Sequence, residues 1–247
     1  MKKLIIVIFC AVSQIVMAQS VNVLLFKEKM LISASEADSV TFAIVPTPGE
    51  FVDMGFPSGT LWASHNIGAS LPEEYGYYYA WGEIYTKSTY TMDTYKWGKK
   101  INKYPWSEMT KYCINSEDGE VDNKMTLDNE DDVAYVQSNG LNHIPSPAQI
   151  EELVNPDYTQ QTRTTLNGVD GWIVFSKFNG NSLFFPSSGY KDTSLWENGK
   201  HITLWSNTTY YYCSSSYSLN DSGGKLIKGY YMRDCGCPVR PVRDTIK

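Results

Sequence analysis

The sequence predicts an α+β fold, with two helices set among antiparallel strands and long loops. Two observations carry that expectation. Only two segments have the end signals of a helix. The first starts near Asp128, runs through Val133 and Val136 and stops at Asn139-Gly140, with Glu130, Asp131 and Asp132 placed near the positive helix start. The second opens on Ser146-Pro147-Ala148-Gln149, a capping-box start with proline at the first helical position, and presents Ile150, Leu153 and Val154 on one face before Asn155-Pro156 ends it. Beyond that point the chain is β in character: Trp172-Ile173-Val174-Phe175, a turn at Asn179-Gly180, then Ser182-Leu183-Phe184-Phe185. Helices in one part and strands in another define this class.

In chain order, residues 1–18 read as a secretory signal peptide. Lys2 and Lys3 precede the apolar run Leu4 to Val12, and Val16-Met17-Ala18 supplies a small-residue cleavage site. The run is too short for a membrane span. Cys10 within it leaves a lipoprotein alternative open. Residues 19–48 read as a short β leader and linker: Val21 to Phe26, a turn at Lys27-Glu28-Lys29, Met30-Leu31-Ile32, and Asp38 to Ile44. The last phrase is similar to one that ends brief leader modules of Bacteroidetes-type secreted proteins. Pro46-Thr47-Pro48-Gly49 forms the joint, and 49–247 is the main domain.

That domain opens Phe51-Val52-Asp53-Met54-Gly55-Phe56-Pro57-Ser58-Gly59-Thr60-Leu61-Trp62-Ala63. Further phrases follow in order: Asn66-Ile67-Gly68-Ala69, Tyr79-Ala80-Trp81-Gly82-Glu83, Lys111-Tyr112-Cys113, Asp131-Asp132-Val133-Ala134, Ile144-Pro145-Ser146, Phe185 to Tyr190, Leu204 to Thr208, and Val239-Arg240-Pro241-Val242. The ordered set resembles the Fibrobacter succinogenes major paralogous domain, a C-type-lectin-like module of secreted bacterial proteins, over residues 51–243. The resemblance implies a C-type-lectin-like fold in a secreted or cell-surface binding module. The chain departs from the family at His65, often Cys there, so no family disulfide is expected through position 65. It departs again at Ile144, near an expected Trp-Arg-Met.

Composition narrows the function. With 27 acids against 21 bases and a formal net charge of −6, the chain has no basic stripe for nucleic acid or anionic membrane. Past the signal peptide there are four cysteines, Cys113, Cys213, Cys235 and Cys237. Export permits disulfides, but Cys235 and Cys237 stand two apart on an expected strand, point the same way and make poor partners. The histidines, His65, His143 and His201, are far apart, and none of the H-E-x-x-H, G-x-S-x-G or phosphate-loop patterns occurs. The chain is therefore read as a non-enzyme without cofactor or metal. Calcium would need an alternating oxygen-ligand loop, which the acids from Asp128 to Asp132 do not spell. Asn155-Pro156-Asp157 falls short of the lectin Glu-Pro-Asn phrase that the resemblance would bring.

The binding surface is expected in the C-terminal stretch. Between Thr208 and Cys237, Tyr210, Tyr211, Tyr212, Tyr217, Asn220, Tyr230, Tyr231, Arg233 and Asp234 lie among Ser, Gly and Asn. Tyrosine supplies large contact area at low entropy cost, and small polar residues supply adaptable hydrogen bonds. A glycan or protein partner fits that mixture. A strand pair whose Tyr and Ser simply face water is the plainer alternative. Of the tryptophans, Trp62, Trp81 and Trp205 read as core, whereas Trp97, Trp106 and Trp196 sit among polar residues and are candidates for surface stacking.

Three other functions stay open on the sequence. One is an enzyme related to formylglycine-generating sulfatase-modifying factors, against which Cys235-Gly236-Cys237 is too close for the active pair. Another is a structural fimbria-associated subunit. The third is the variable protein of a diversity-generating retroelement. Tyr210 to Asp221 uses only residues reachable from an AAC codon rewritten at its first two bases, although Lys225, Lys228 and Met232 do not fit.

Overall fold

The computed structural model describes residues 30–34, 40–44, 51–101 and 107–245. The expected signal peptide, the strand at 21–26 and Trp106 lie outside the described residues. In the leader, β1 (Met30–Ala34) and β2 (Val40–Ile44) pair antiparallel, Met30 opposite Ile44, as the alternation there predicts.

The domain starts with β3 (Phe51–Asp53) and β4 (Leu61–Ala63). Between them Gly59 adopts φ +75°, which a residue with a side chain rarely does. A long, largely irregular segment follows, holding β5 (Gly98–Lys100) and β6 (Ser107–Met109), an antiparallel pair. The first expected helix is shorter and starts later than its sequence signals suggest. Asp128 opens only a single 3-10 turn over Asn129–Asp131, with no side-chain cap. The α-helix α1 spans Val133–Gln137 and is capped by Asp132, whose carboxylate accepts from the Ala134 and Tyr135 N–H groups. Asn139 and Gly140 end it in left-handed conformations. The second helix, α2 (Pro147–Val154), is built as expected: Ser146 and Gln149 form a reciprocal capping box, and Ile150 and Leu153 are buried.

Three strands then form one antiparallel sheet, β7 (Thr159–Leu166), β8 (Val169–Ser176) and β9 (Ser182–Pro186). The β8–β9 pair is the expected hairpin, with Trp172 opposite Phe185. The other partner of β8, β7, is a strand the sequence reading did not name; Leu166 pairs with Val169 around the two-residue turn Asn167-Gly168. After the short pair β10 (Tyr190–Lys191) and β11 (Leu195–Trp196) come β12 (Thr203–Thr209), β13 (Ser215–Ser222) and β14 (Lys225–Met232), paired in that order. The last strand, β15 (Val242–Arg243), returns to β4, so Val242, Trp62 and Val52 stand side by side across one sheet.

The chain is thus mixed α and β, mostly strands in antiparallel sheets with two α-helices among the described residues. No helix of the described residues is long and apolar enough to cross a membrane. The largest apolar cluster joins the domain's opening and closing strands to α2 and the later sheets: Trp62, Ile150, Trp172, Phe185, Leu204 and Leu219 are among its members. A second gathers Tyr79, Trp81, Tyr112, Trp205 and Val239. Trp62, Trp81 and Trp205 are core, as their phrases suggest. Trp97 is not the surface ring expected: it packs edge-on against Tyr112 and its Nε1 donates to the Gly82 carbonyl. Trp196 is about half exposed, with Nε1 donating to Asp192.

Candidate functional site

The C-terminal stretch is a strand pair, and alternation divides its residues. β13 is the central strand of its sheet, covered by β12 on one edge and β14 on the other. Ser215, Ser216, Ser218 and Leu219 are buried. The Ser-rich middle is therefore interior where a wholly exposed surface was expected. Serine is small enough to let neighbouring strands and loops close over it.

Five of the nine expected residues do come together outside the core. Tyr217 and Tyr230 are direct cross-strand partners. Tyr210 stacks on Tyr230, with centroids 4.3 Å apart and planes at 14°, and meets Tyr217 edge-on at 5.1 Å. Tyr211 packs on Tyr210 at 4.5 Å and on Tyr212 at 3.9 Å. Tyr211, Tyr212 and Tyr230 are 49%, 50% and 52% exposed, so the rings lean on one another and still show half their surface to solvent. Hydrogen bonding to Tyr212 is the main reason the Tyr211 hydroxyl pKa rises to about 12. Beside the patch the ammonium of Lys228 lies 5.0 Å from the Tyr217 ring centroid and pairs with Glu151 of α2.

Two expected residues line a different feature. Asn220 and Tyr231 lie with Tyr190, Glu197, His201, Ile202, Thr203 and Asp221 around a cleft of about 320 Å³. Tyr231 packs at a tilt against Tyr190, with ring centroids 4.9 Å apart, and burial pushes its hydroxyl pKa well up. Asn220 donates to the Tyr230 carbonyl while its Oδ1 is buried without a partner. Asp221, nearly buried, accepts from the Ile202 N–H and lies 3.2 Å from His201 Nδ1. Tyr190, Glu197 and His201 were missed, since nothing local in the sequence brings residues 190–203 to β13 and β14.

Arg233 is not a surface residue. It is fully buried, with Nε donating to the Tyr95 hydroxyl and its remaining nitrogens to the carbonyls of Lys111, Tyr112 and Cys213. The guanidinium also lies over the Trp81 ring at 4.5 Å. A cation with its donors so occupied has little left for a ligand. Its backbone N–H holds the Ser214 carbonyl at 3.0 Å, so Arg233 anchors from beneath the turn that carries Tyr211 and Tyr212. Asp234 is likewise half-withdrawn, its carboxyl pKa raised by burial. The reading of Arg233 as a ligand contact is corrected, since its donors are used inside the fold; Asp234 is only partly withdrawn.

The acidic run has a structural use. Asp131 is buried and meets Lys96 and Lys111 at 2.8 and 2.7 Å and the Tyr112 hydroxyl at 2.6 Å. Burial alone would raise its pKa, but these bonds hold it below the usual carboxylate range. Among the described residues no three His, Cys, Asp or Glu side chains gather as metal ligands. His65 is partly buried against the Asn66 carbonyl, His143 meets Asp244 and His201 meets Asp221, so the histidines stay apart. Compared with protein-family models, with curated proteins and with solved structures, the chain matches none.

Proposed function

We propose that the chain is a secreted or cell-surface binding module with a C-type-lectin-like fold, and that the patch of Tyr210, Tyr211, Tyr212, Tyr217 and Tyr230 contacts a glycan or protein partner. The observation that carries this reading is the patch itself: five packed rings, three half exposed, with two of the five paired across β13 and β14 and three in the turn before β13, which is fixed to a buried arginine. Exposed aromatic clusters on a rigid support are strong contact surfaces, because little side-chain entropy remains to be lost on binding. Support for the fold comes from the order of the family phrases and from the pairing of the first phrase with the last, Trp62 against Val242.

The test is a glycan and protein-partner array probed with the chain in calcium and again in chelator. Binding in both conditions, abolished in a Tyr211→Ala/Tyr230→Ala variant, is expected. Retained binding in that variant sinks the patch, and binding only with calcium overturns the metal-free reading.

A further inference from the structure

Cys113 and Cys213 are distant in sequence and adjacent in space. Both thiols are free and fully buried in one small cluster with Tyr78, Tyr90, Tyr95 and Met109. The N–H of Ile114, the residue after Cys113, donates to Cys213 Sγ at 3.3 Å. Cys113 Sγ in turn donates to the Asn115 carbonyl at 3.1 Å. The Cys113 thiol has its pKa pushed up to about 12, by burial first and then by the neighbouring Cys213 thiol.

The surrounding backbone fixes this meeting from both sides. Thr209 N–H donates to the Met125 carbonyl at 2.7 Å and Leu127 N–H to Asn207 at 2.9 Å. Cys213 N–H donates to Asp118, in the loop that follows Cys113, and Asp122 accepts from the Cys113 N–H. Cys235 and Cys237 have no such freedom to pair with each other. Gly236 exchanges hydrogen bonds with Lys191, and Cys237 with Tyr79, which commits the backbone on both sides.

We propose that Cys113 and Cys213 are a disulfide site, oxidised as the chain folds in an oxidising compartment and locking the turn of Tyr210–Tyr212 to the 113–122 loop. The oxidant is a protein or small-molecule disulfide. One cysteine thiolate attacks it, forming a mixed disulfide and releasing one thiol. The second thiolate then displaces the other thiol. Two S–H bonds are lost, one S–S bond forms, and the oxidant's disulfide is reduced to two thiols by two electrons. Because both sulfurs are buried in the finished fold, exchange takes place before the loops close. The bond constrains a loop of about 100 residues in the unfolded chain, a length at which the entropic stabilisation is large. This inference rests on the proposed export of the chain and not on the binding patch.

The experiment is peptide mapping of the chain produced with export into an oxidising compartment, unfolded, alkylated with iodoacetamide and digested without reductant. A peptide joining Cys113 to Cys213, with Cys235 and Cys237 alkylated, is expected. Alkylation of both Cys113 and Cys213, or a cross-link of either to Cys235 or Cys237, overturns the proposal. Melting gives a second readout. Dithiothreitol added before folding is expected to lower the melting temperature by on the order of 10 °C, and to leave a Cys113→Ala/Cys213→Ala variant unchanged. An equal drop in both proteins also overturns it.

Discussion

Tyrosine appears in two regions of this molecule under opposite conditions. Inside, each hydroxyl is spent on a specific group: Tyr78 donates to the Ser188 carbonyl, Tyr90 to Tyr78, Tyr95 to Trp81 and Tyr112 to Asp131. In the patch, Tyr210, Tyr211, Tyr212, Tyr217 and Tyr230 spend their rings on one another and keep half of three faces in water. The interior tyrosines tie backbone segments that have few strands of their own, since residues 64–97 contain none. A buried phenol with a satisfied hydroxyl combines large apolar area with one directed bond. The difference shows that aromatic content alone does not separate core from surface; the fate of the hydroxyl does.

The largest break between the two regions is expected at Arg233, which serves both. Arg233→Met leaves the Lys111, Tyr112 and Cys213 carbonyls without their donor and, at about 1–3 kcal/mol for each buried acceptor left unsatisfied, should cost about 3 kcal/mol or more in urea unfolding. A loss below about 1 kcal/mol would show that those carbonyls find water.

Asp131→Asn should cost about 1.5–3 kcal/mol at pH 7, through weakened bonds to Lys96, Lys111 and Tyr112. The sign of the pH effect follows from the direction of the shift. Asp131 has a folded pKa below its unfolded value, so its contribution is present above about pH 4 and is lost as pH falls through the folded pKa. Asp132 acts oppositely: burial raises its folded pKa, so acid relieves the cost of keeping it ionised. The wild type should therefore lose more stability than Asp131→Asn between pH 6 and pH 3. Equal losses in the two proteins would remove Asp131 from the acid response.

Tyr95→Phe tests the interior hydroxyls. It strips one partner each from the Trp81 carbonyl and Arg233 Nε, and about 1–2 kcal/mol of stability should go with it. The smallest effect is expected in the patch: Tyr211→Ala should stay within about 0.5 kcal/mol of wild type by the same denaturant midpoint. If Tyr211→Ala costs as much as Tyr95→Phe, the patch is part of the fold and not a free surface.

The legible parts of the sequence were those governed by local chemistry. Ser146, Pro147 and Gln149 specify the start of α2 within four residues, and Asn179-Gly180 marks the β8–β9 turn. The clustering of the patch was half legible, because the stretch also reads as a strand pair and Tyr217 and Tyr230 meet across it, whereas the burial of Ser216 and Ser218 depended on what packs over the sheet. Arg233 was misread because charge in a polar stretch signals solvent. Its partners come from Tyr95, Lys111 and Tyr112, more than a hundred residues upstream, and only the folded chain brings their oxygens to it. The same separation hid the neighbourhood of Cys113 and Cys213, and the Asp132 cap was hidden by the acids just before it, Asp128, Glu130 and Asp131.

The pairing of β15 with β4, and of β4 with β3, brings the two ends of the domain together. The Arg243 guanidinium lies over the Phe51 ring at 4.2 Å. Ends so placed can be joined by a short tether, and the domain can be reopened at an exposed turn such as Gly223-Gly224 without disturbing the β3–β4–β15 sheet. The same geometry allows the whole unit to be spliced into a loop of a host protein, whose two cut ends then need to move only about a nanometre apart, two strand spacings, to receive it.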